Sequence, residues 1–410
     1  MSKSRRLSQH EVDGFKEHCF ERDSAIFLQS HILAHPEEAY ETLVAGCHAA
    51  ADGQALIKVF VDGMQVVGSR HSLLPREDEI TLDRYQSRLL QDTIQRDFAI
   101  VLPSIQVYSP LICDRARSLL AELLGDDWLP AGSIDLELFF GRYEYTPGGI
   151  HKEPRSNLHC IVAGQKSMIV WPEATWESSH VSQINDLRQL EQAGRQHEAT
   201  ILAGDQGDIL YWPSNYWHIG RAPKLSIGIN IAIYLRSDPF ELLTKAVREQ
   251  LWGRFQTTGL LDALASCGTS VCELPETLQQ QLTALQLTAN STALATSLTV
   301  EWMAHVTSLG FRPLPGRLKP DDLSGTILLA RTEGGRLCWN TIGSKLIYSG
   351  NGHIGQTRAG TASTEILELL HDGYSFTPQQ MIGSFSNDLS IGEIWSLLED
   401  LYSMGVIAEV

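Results

Sequence analysis

The stretch that most constrains the fold of this chain is 143–172, which combines strand-like sequence with closely spaced turn signals. Within it, the turn-forming run Thr146-Pro147-Gly148-Gly149 leads into a predicted strand that begins near His151. A second turn signal at 163–166 leads into an apolar run at 167–172. The same alternation of turns and short apolar runs returns between 204 and 235. Short extended segments joined by tight turns predict an antiparallel β-structure in the middle of the chain.

A histidine and a carboxylate stand two residues apart in this stretch. Because side chains alternate faces in a strand, one face is predicted to carry His151, Glu153, Arg155, Asn157 and His159. One more histidine from a distant strand would complete two imidazoles and one carboxylate, the set that holds non-haem Fe(II) with open positions. H-x-E alone is a weak signal that more often marks a solvated strand face, and it is the surrounding turn and strand pattern that favours the metal site.

The segment 98–238 resembles the JmjC/cupin family of Fe(II)- and 2-oxoglutarate-dependent oxygenases. It is most similar to the ribosomal-oxygenase (cupin-4) and asparaginyl-hydroxylase branch. The resemblance rests on H-x-E, then G-x-K, then G-D-x-x-Y-x-P-x-x-x-x-H, in register. These motifs comprise His151, Glu153, Gly164, Lys166, Gly207, Asp208, Tyr211, Pro213 and His218.

The resemblance implies a role for the charged motif residues. It makes His151, Glu153 and His218 the ligands of Fe(II). It also places Lys166 where the family has the basic residue that pairs with the distal carboxylate of 2-oxoglutarate, since a buried anion requires a cationic partner. Without the resemblance, Lys166 would be interpreted as a solvated turn lysine.

Two asparagines correspond to family positions near the iron-chelating end of 2-oxoglutarate, Asn157 and Asn230. Parity on the last strand supports Asn230, because Gly228 and Ala232 share its face while isoleucines occupy the other face. A small and polar face suits a cofactor cavity. The residues considered for the substrate opening are Tyr143, Tyr145, Arg155, His159 and Trp217.

Glu153 departs from the pattern, because this branch usually carries aspartate there, whereas glutamate is common among JmjC demethylases. Three functions therefore stay open. The first, favoured by the resemblance, is hydroxylation of an amino-acid side chain in a protein or peptide, with O2 as cosubstrate and 2-oxoglutarate decarboxylated to succinate. The second is JmjC-type N-demethylation, and the third is a non-catalytic cupin that binds peptides. Zn(II) or Mn(II) could replace Fe(II) in purified protein, because metal affinity does not favour iron.

Composition limits the partners of this 410-residue chain. A formal net charge of −17 argues against a nucleic-acid binder working through phosphate contacts. The seven cysteines lack zinc-type spacing, and no signal peptide or membrane span is visible, so a cytoplasmic protein with reduced thiols is expected.

The predicted fold is mixed α/β, with a double-stranded β-helix (cupin/JmjC barrel) followed by a helical segment and a winged-helix-like domain. Residues 1–97 are predicted to form a helical and hairpin region supporting the barrel at 98–238, in which 173–196 is an insertion. That insertion is interpreted either as a loop covering the substrate opening or as a surface helix. Residues 239–310 are expected to be helical. The resemblance implies that they mediate homodimerisation, and the alternative is that these helices pack on their own barrel. Residues 311–410 are expected to be winged-helix-like and to bind protein or peptide.

Overall fold

The computed structural model describes residues 7–29, 33–66, 72–93, 96–175, 198–236, 241–252, 276–289, 291–319 and 323–410. Two compact units are present. The first comprises Met1–Arg236 and Gly310–Arg317, and the second Ser237–Leu309 and Leu318–Val410. The finer division predicted from the sequence into four regions stays a prediction.

The first unit is built on one large antiparallel sheet whose strands come from most of its length. Its strands are β1 (Ala25–Phe27), β2 (Lys58–Val61), β3 (Met64–Val66), β4 (Phe98–Leu102), β5 (Ile134–Tyr143), β6 (Ser156–Ala163), β7 (Gln165–Trp171), β8 (Thr200–Asp205), β9 (Ile209–Trp212) and β10 (Trp217–Ile233). Its main path runs β1-β9-β6-β10-β5-β4-β2-β3, and β7 joins β10 to β8. This sheet and its helices agree with the predicted mixed α/β fold of the JmjC/cupin type.

Local turn chemistry explains how the sheet begins. The predicted hairpin is confirmed as β2 and β3, joined at Asp62 and Gly63, which have φ values of 49° and 79°. Two consecutive positive φ values are those of the two-residue hairpin turn that an Asp-Gly pair favours. Strand β2 then pairs with β4, so the hairpin extends the main sheet.

Helices flank this sheet at α1 (Gln9–Gly14), α2 (Pro36–Ala51), α3 (Leu82–Asp92) and α4 (Pro110–Leu124). The helix predicted at 109–124 is confirmed as α4. Ser109 caps it by accepting a hydrogen bond from the Ile112 N–H, and Pro110 takes the first helical position, where its missing N–H costs nothing. Its leucines at 119, 120 and 123 are buried in the core.

Strand β10 connects two parts of the sheet. The sequence predicts the final strand at 225–235, and its start is wrong, because Trp217–Ile233 is one continuous strand. Its first part pairs with β7, and its second part lies between β5 and β6. The register shifts between Ala222 and Ser226, where Pro223 needs no ladder partner for its absent N–H.

The second unit contains two groups of elements. Its first helices are α5 (Glu241–Trp252), α6 (Glu276–Ala289) and α7 (Thr292–Ser308). The later elements are β11 (Leu329–Arg331), β12 (Leu337–Ile342), β13 (Lys345–Gly350), β14 (His353–Arg358), α8 (Thr361–His371), α9 (Pro378–Phe385), α10 (Ile391–Ser403) and β15 (Ile407–Glu409). Strands β12, β13 and β14 form one sheet, and β11 pairs with β15. The sequence predicts helices at 364–372, 377–385 and 391–404, which are confirmed as α8, α9 and α10. It predicts strands at 327–330, 336–340, 345–348 and 406–408 but not β14, and the winged-helix assignment stays a prediction.

Some expectations concern residues that the structure leaves undescribed. The predicted insertion lies almost wholly outside the described residues, which resume at 198. Cys267 and Cys272 also lie outside them, whereas the five other cysteines are free thiols. Among the helices that are described, none has the length and apolarity needed to cross a membrane.

Candidate metal centre

Backbone pairing brings the two predicted histidine ligands together. His151 and His218 form an isolated antiparallel bridge, in which the N–H of each donates to the carbonyl of the other at 3.2 and 2.8 Å. Their ring centroids are 4.3 Å apart. A bridge of this kind fixes both side chains on one side of the backbone, so two distant segments contribute to one site.

The segment that carries the carboxylate is not a strand. Strand β6 begins at Ser156, so the continuous strand predicted from His151 to His159 is wrong for residues 152–155, which leave the ladder. One backbone bond nevertheless holds Glu153, whose carbonyl accepts from the N–H of Asn215 at 2.8 Å. The side chains at 151, 153, 155, 157 and 159 all line one cavity, as the parity argument predicted.

The three predicted metal ligands converge within this cavity. One donor atom from each of His151, Glu153 and His218 lies within 4.8 Å of the others. The Nε2 atoms of His151 and His218 are 3.9 and 4.0 Å from the two carboxylate oxygens of Glu153. Two imidazoles and one carboxylate fit an Fe(II) facial triad, and the same donors also suit Zn(II).

Hydrogen bonds on the far side of each ring fix its tautomer. Nδ1 of His151 donates to the Gly149 carbonyl at 3.0 Å, and Nδ1 of His218 donates to the Tyr216 carbonyl at 3.1 Å. Since a carbonyl can only accept, the proton of the neutral ring is on Nδ1. Each Nε2 therefore keeps a lone pair directed at the common point, the arrangement found around metal-bound histidines.

Charge in the site favours the ligand forms of these side chains. Burial raises the pKa of Glu153, but the hydrogen bond and charge of Arg155 outweigh it, and the net pKa lies below the usual value. Burial, together with the nearby His151, lowers the pKa of His218 from 6.5 to about 3. At neutral pH the site therefore offers a carboxylate and a neutral imidazole, as metal binding requires.

Arg155 holds the carboxylate in place. Its Nε and Nη2 donate to the two oxygens of Glu153 at 2.7 and 3.0 Å, while its Nη1 donates to Glu137 at 2.9 Å. A carboxylate has about four lone-pair positions, so this paired contact leaves room for a metal bond. Arg155, considered for the substrate opening, is thus engaged by two acidic side chains within the cavity.

Lys166 is a buried cation on the cavity wall. Its side chain is 4 % exposed, contacts the Tyr143 hydroxyl, and lies 5.6 Å from the Phe139 ring centroid. Within the described parts of the chain, no carboxylate lies within ion-pairing distance of its Nζ. A buried ammonium without an acidic partner is costly, which makes this wall suited to an anionic ligand.

The predicted asparagines are neighbours. Nδ2 of Asn230 donates to Oδ1 of Asn157 at 2.8 Å and to Glu137 at 3.2 Å. Both side chains are buried and line the same cavity. The strand register explains these contacts, because Asn230 lies opposite Glu137 on β5 and opposite His159 on β6.

The residues considered for the substrate opening divide into two groups. Arg155 and His159 line the cavity, and Tyr143 reaches it only through its contact with Lys166. Tyr145 and Trp217 pack instead in an apolar cluster around Trp171, and the Trp217 indole N–H donates to the Glu173 carbonyl at 3.0 Å. The structure therefore separates these two aromatic residues from the metal ligands.

Four residues that line the metal-site cavity were not predicted from the sequence: Phe139, Thr146, Met168 and Trp212. The alternation of side chains along a strand could have indicated two of them, because Phe139 shares a strand face with Glu137, and Met168 lies two residues after Lys166.

A larger cavity of about 810 Å³ lies between α2 and residues 72–80, and it shares no lining residue with the metal site. This larger cavity is not a second candidate metal site, because no comparable cluster of metal-ligating side chains lies in it among the described residues.

The whole chain was compared with known proteins. No family model matches the sequence, and no curated protein matches it either. Solved structures do match. The ribosomal oxygenase YcfD from Escherichia coli, in complex with cobalt and succinic acid, shares 12 % identity over 99 % of both chains with a TM-score of 0.51. Another structure of YcfD shares 14 % identity over 100 % of both chains, and a complex with cobalt and 2-oxoglutarate shares 14 % over 99 %, each with a TM-score of 0.51. The resemblance inferred from the motifs is confirmed at the level of fold: this chain shares its fold with the ribosomal oxygenase YcfD.

Proposed function

We propose that this protein is an Fe(II)- and 2-oxoglutarate-dependent oxygenase that hydroxylates an amino-acid side chain of a protein or peptide. One observation carries the proposal. A cluster of two histidines and one glutamate shares its cavity with Lys166, a buried lysine that has no carboxylate partner among the described residues. The ligand cluster fits Fe(II), and the lysine fits the far carboxylate of a dicarboxylate cosubstrate.

The chain's own residues prepare the reaction. His151, Glu153 and His218 would hold the metal, and Arg155 keeps the Glu153 carboxylate ionised and oriented. Bound Fe(II) would supply oxidative chemistry, in which 2-oxoglutarate and O2 give succinate and CO2 while one oxygen atom is inserted into a substrate C–H bond. Of the three ligands, His218 is buried, whereas His151 and Glu153 are partly exposed.

The cosubstrate would lie along the cavity wall. Lys166 would pair with its distal carboxylate, and the Tyr143 hydroxyl beside that lysine would orient the ammonium. Asn157 and Asn230 would lie at the chelating end, where their mutual hydrogen bond keeps both amides in fixed positions. The similarity in fold to a ribosomal oxygenase supports a protein or peptide as substrate.

The finer assignments belong to the same proposal. The helices of the second unit would mediate a homodimer, and its β12–β14 sheet with α8, α9 and α10 would form the winged-helix-like domain that binds protein or peptide. The protein would act in the cytoplasm. The acidic net charge of −17 is what disfavours nucleic acid as the partner.

The test is an anaerobic titration of Fe(II) and 2-oxoglutarate, followed by the weak visible charge-transfer band of the complex. Wild type is expected to develop the band, and His151→Ala is expected to lack it. Lys166→Met should raise the Kd for 2-oxoglutarate by about 10–100-fold, because one charge-assisted contact contributes about 1.5–3 kcal/mol. A wild-type protein that folds but shows no band would overturn the proposal.

Lys152→Met is the matched control, because Lys152 is adjacent to His151 but pairs with Glu173 outside the cavity at 2.7 Å. It should leave the Kd for 2-oxoglutarate within about twofold of the wild-type value, as expected for an exposed pair. Product analysis then separates hydroxylation from N-demethylation. Hydroxylation adds one oxygen atom to the substrate peptide, whereas demethylation releases formaldehyde.

A further inference from the structure

The two chain segments that carry the metal ligands both leave the sheet ladder close to the site. Residues 152–155 lie between the His151 bridge and the start of β6, and residues 213–216 lie between β9 and β10. Backbone hydrogen bonds between the two segments are few: the Asn215 N–H donates to the Glu153 carbonyl, and the His151–His218 bridge lies beside it. Side chains add to this hold, and Arg155 joins the first segment to Glu137 on β5.

A carboxylate from the N-terminal region connects the first residue of β6, directly after the first segment, to the second segment. Oε1 of Glu21 accepts from the Ser156 hydroxyl and from the Ser214 N–H, the latter at 3.2 Å. Its Oε2 accepts from the Ser214 hydroxyl. Ser156 follows Glu153 closely and Ser214 precedes His218 closely, so one carboxylate joins the two ligand-bearing segments.

Tyr211 fixes Glu21 in turn. The backbone N–H of Glu21 donates to the Tyr211 hydroxyl at 2.8 Å, and that hydroxyl lies 3.4 Å from Oε1 of the same residue. Tyr211 is fully buried on β9, where its ring packs edge-on against Phe15 at 4.8 Å. The Glu21 carboxylate is thus attached to a rigid part of the sheet.

The backbone at Glu21 also departs from ordinary geometry. Its φ is 57°, in the left-handed region that residues with a Cβ rarely adopt. Such a conformation costs about 1 kcal/mol or more and persists only when surrounding contacts enforce it. Here the enforcing contacts are the hydrogen bonds to Tyr211, Ser156 and Ser214.

We infer that Glu21 is a positioning residue for the metal centre, joining the Glu153 segment to the His218 segment through Ser156 and Ser214. The inference rests on the proposed metal site. It assigns Glu21 no contact with metal, cosubstrate or substrate. Without its carboxylate, the backbone contacts at His151 and Asn215 would remain, but the two segments would be held less firmly, and metal binding tolerates displacements of only about 0.2 Å.

The test is Co(II) binding to the full-length, metal-free protein, measured by the Kd and by the visible absorption spectrum of the bound ion. Glu21→Ala is expected to raise the Kd by about 10–100-fold, the usual effect of losing a residue that orients a ligand. Its Co(II) spectrum should shift, because the ligand geometry changes. Glu21→Gln keeps an oxygen acceptor and an amide that can bond the Ser214 hydroxyl, so it should restore the Kd to within about threefold of wild type.

Two further variants keep the outcome clear. Ser156→Ala combined with Ser214→Ala removes both hydroxyl donors while leaving Glu21 in place, and it should raise the Kd by at least about 10-fold even if Glu21→Ala fails to fold. Glu79→Gln is the stability control, since Glu79 is a similarly tethered carboxylate, bonded to Arg88 and to the Arg76 N–H outside the cavity. It should lower Tm without changing the Co(II) Kd or spectrum.

The possible results separate the inference from the proposed function. If wild type binds no Co(II), or binds it equally well after His151→Ala, the proposed metal site is wrong. If wild type depends on His151 but the Glu21→Ala protein and the double serine variant bind Co(II) with unchanged Kd and spectrum, only the role of Glu21 is overturned.

Discussion

The Nε2 atom of His218 lies 4.0 Å from Oε2 of Glu153, although one residue is on strand β10 and the other is on a segment outside the sheet ladder. The two are brought together by the His151–His218 bridge and by the Asn215 N–H, which donates to the Glu153 carbonyl. The long glutamate side chain then spans the remaining gap. Its length is therefore part of the geometry of the site.

Shortening this side chain should weaken metal binding. Glu153→Asp withdraws the carboxylate by about one C–C bond, roughly 1.5 Å, which separates it from the histidines and from Arg155. We expect the Co(II) Kd to rise by about 10-fold, and by at least about 100-fold for Glu153→Gln, which loses the charge. Isothermal titration with Co(II) measures both. Equal Kd values for wild type and Glu153→Asp would contradict this account of the glutamate.

Removing Arg155 should destabilise the fold, because Glu137 and Glu153 would lose the cation with which both form ion pairs. Arg155→Gln leaves Glu137 and Glu153 as neighbouring carboxylates without their shared cation. Breaking a largely buried pair costs about 3 kcal/mol, somewhat less here because the Glu153 side chain is 28 % exposed. Urea unfolding of the metal-free protein measures this loss. Adding Glu137→Gln should recover part of it, whereas a double variant as unstable as the sum of both single changes would contradict the pairing.

The sequence predicted the elements best where local chemistry determines them. The Asp62-Gly63 hairpin and helix α4 with its Ser109 cap depend on turn and capping preferences of adjacent residues. The H-x-E spacing and the alternation on the sheet likewise predicted which side chains line the cavity. These features depend on short-range periodicity, which a single sequence contains.

Features set by distant contacts were not predicted. Nothing local indicates that Glu137 pairs with Arg155, or that Glu21 reaches Ser156 and Ser214. The continuity of β10 was hidden because Pro223 resembles a strand break, whereas the structure accommodates it at a register shift. Parity could not distinguish a strand from the irregular segment 152–155 either, because both direct alternate side chains to one face.

Acidification should reveal His159 as a buried neutral histidine. Burial and the charge of Lys166 lower its pKa well below 6.5. Below pH 6.5 the unfolded chain takes up a proton that the folded protein does not, so the free energy of unfolding falls as pH falls. In metal-free protein, wild type should lose about 1 kcal/mol more than His159→Phe between pH 7.5 and 5.5, within the limit of about 1.4 kcal/mol per pH unit.

Urea unfolding at both pH values measures this difference, and the other histidines cancel because both proteins contain them. Phenylalanine keeps a planar ring next to Phe139, whose ring centroid is 5.7 Å from that of His159, so packing changes little. Parallel pH profiles for the two proteins would show that folding does not lower the pKa of His159.

A glycine at position 228 should be required for full stability, because a larger residue there would displace the His159 ring. A Cβ added at this glycine would lie 2.3 Å from Nε2 and 2.7 Å from Cε1 of the buried His159 ring. The ring would have to move within a packed cavity wall, so we expect Gly228→Ala to lower the free energy of unfolding by about 1–3 kcal/mol. Because His159 is beside Lys166 on that wall, the Kd for 2-oxoglutarate should also rise severalfold.

Gly383 on α9 supplies the control, since a Cβ there meets nothing within 4 Å. Gly383→Ala should leave the Kd unchanged and stabilise the helix by up to about 1 kcal/mol, because alanine has the higher helix propensity. Combining Gly228→Ala with His159→Ala should cost less than the two changes separately, since the clash is then absent. Additive losses in that double variant would mean that Gly228 is required for a reason other than the histidine ring.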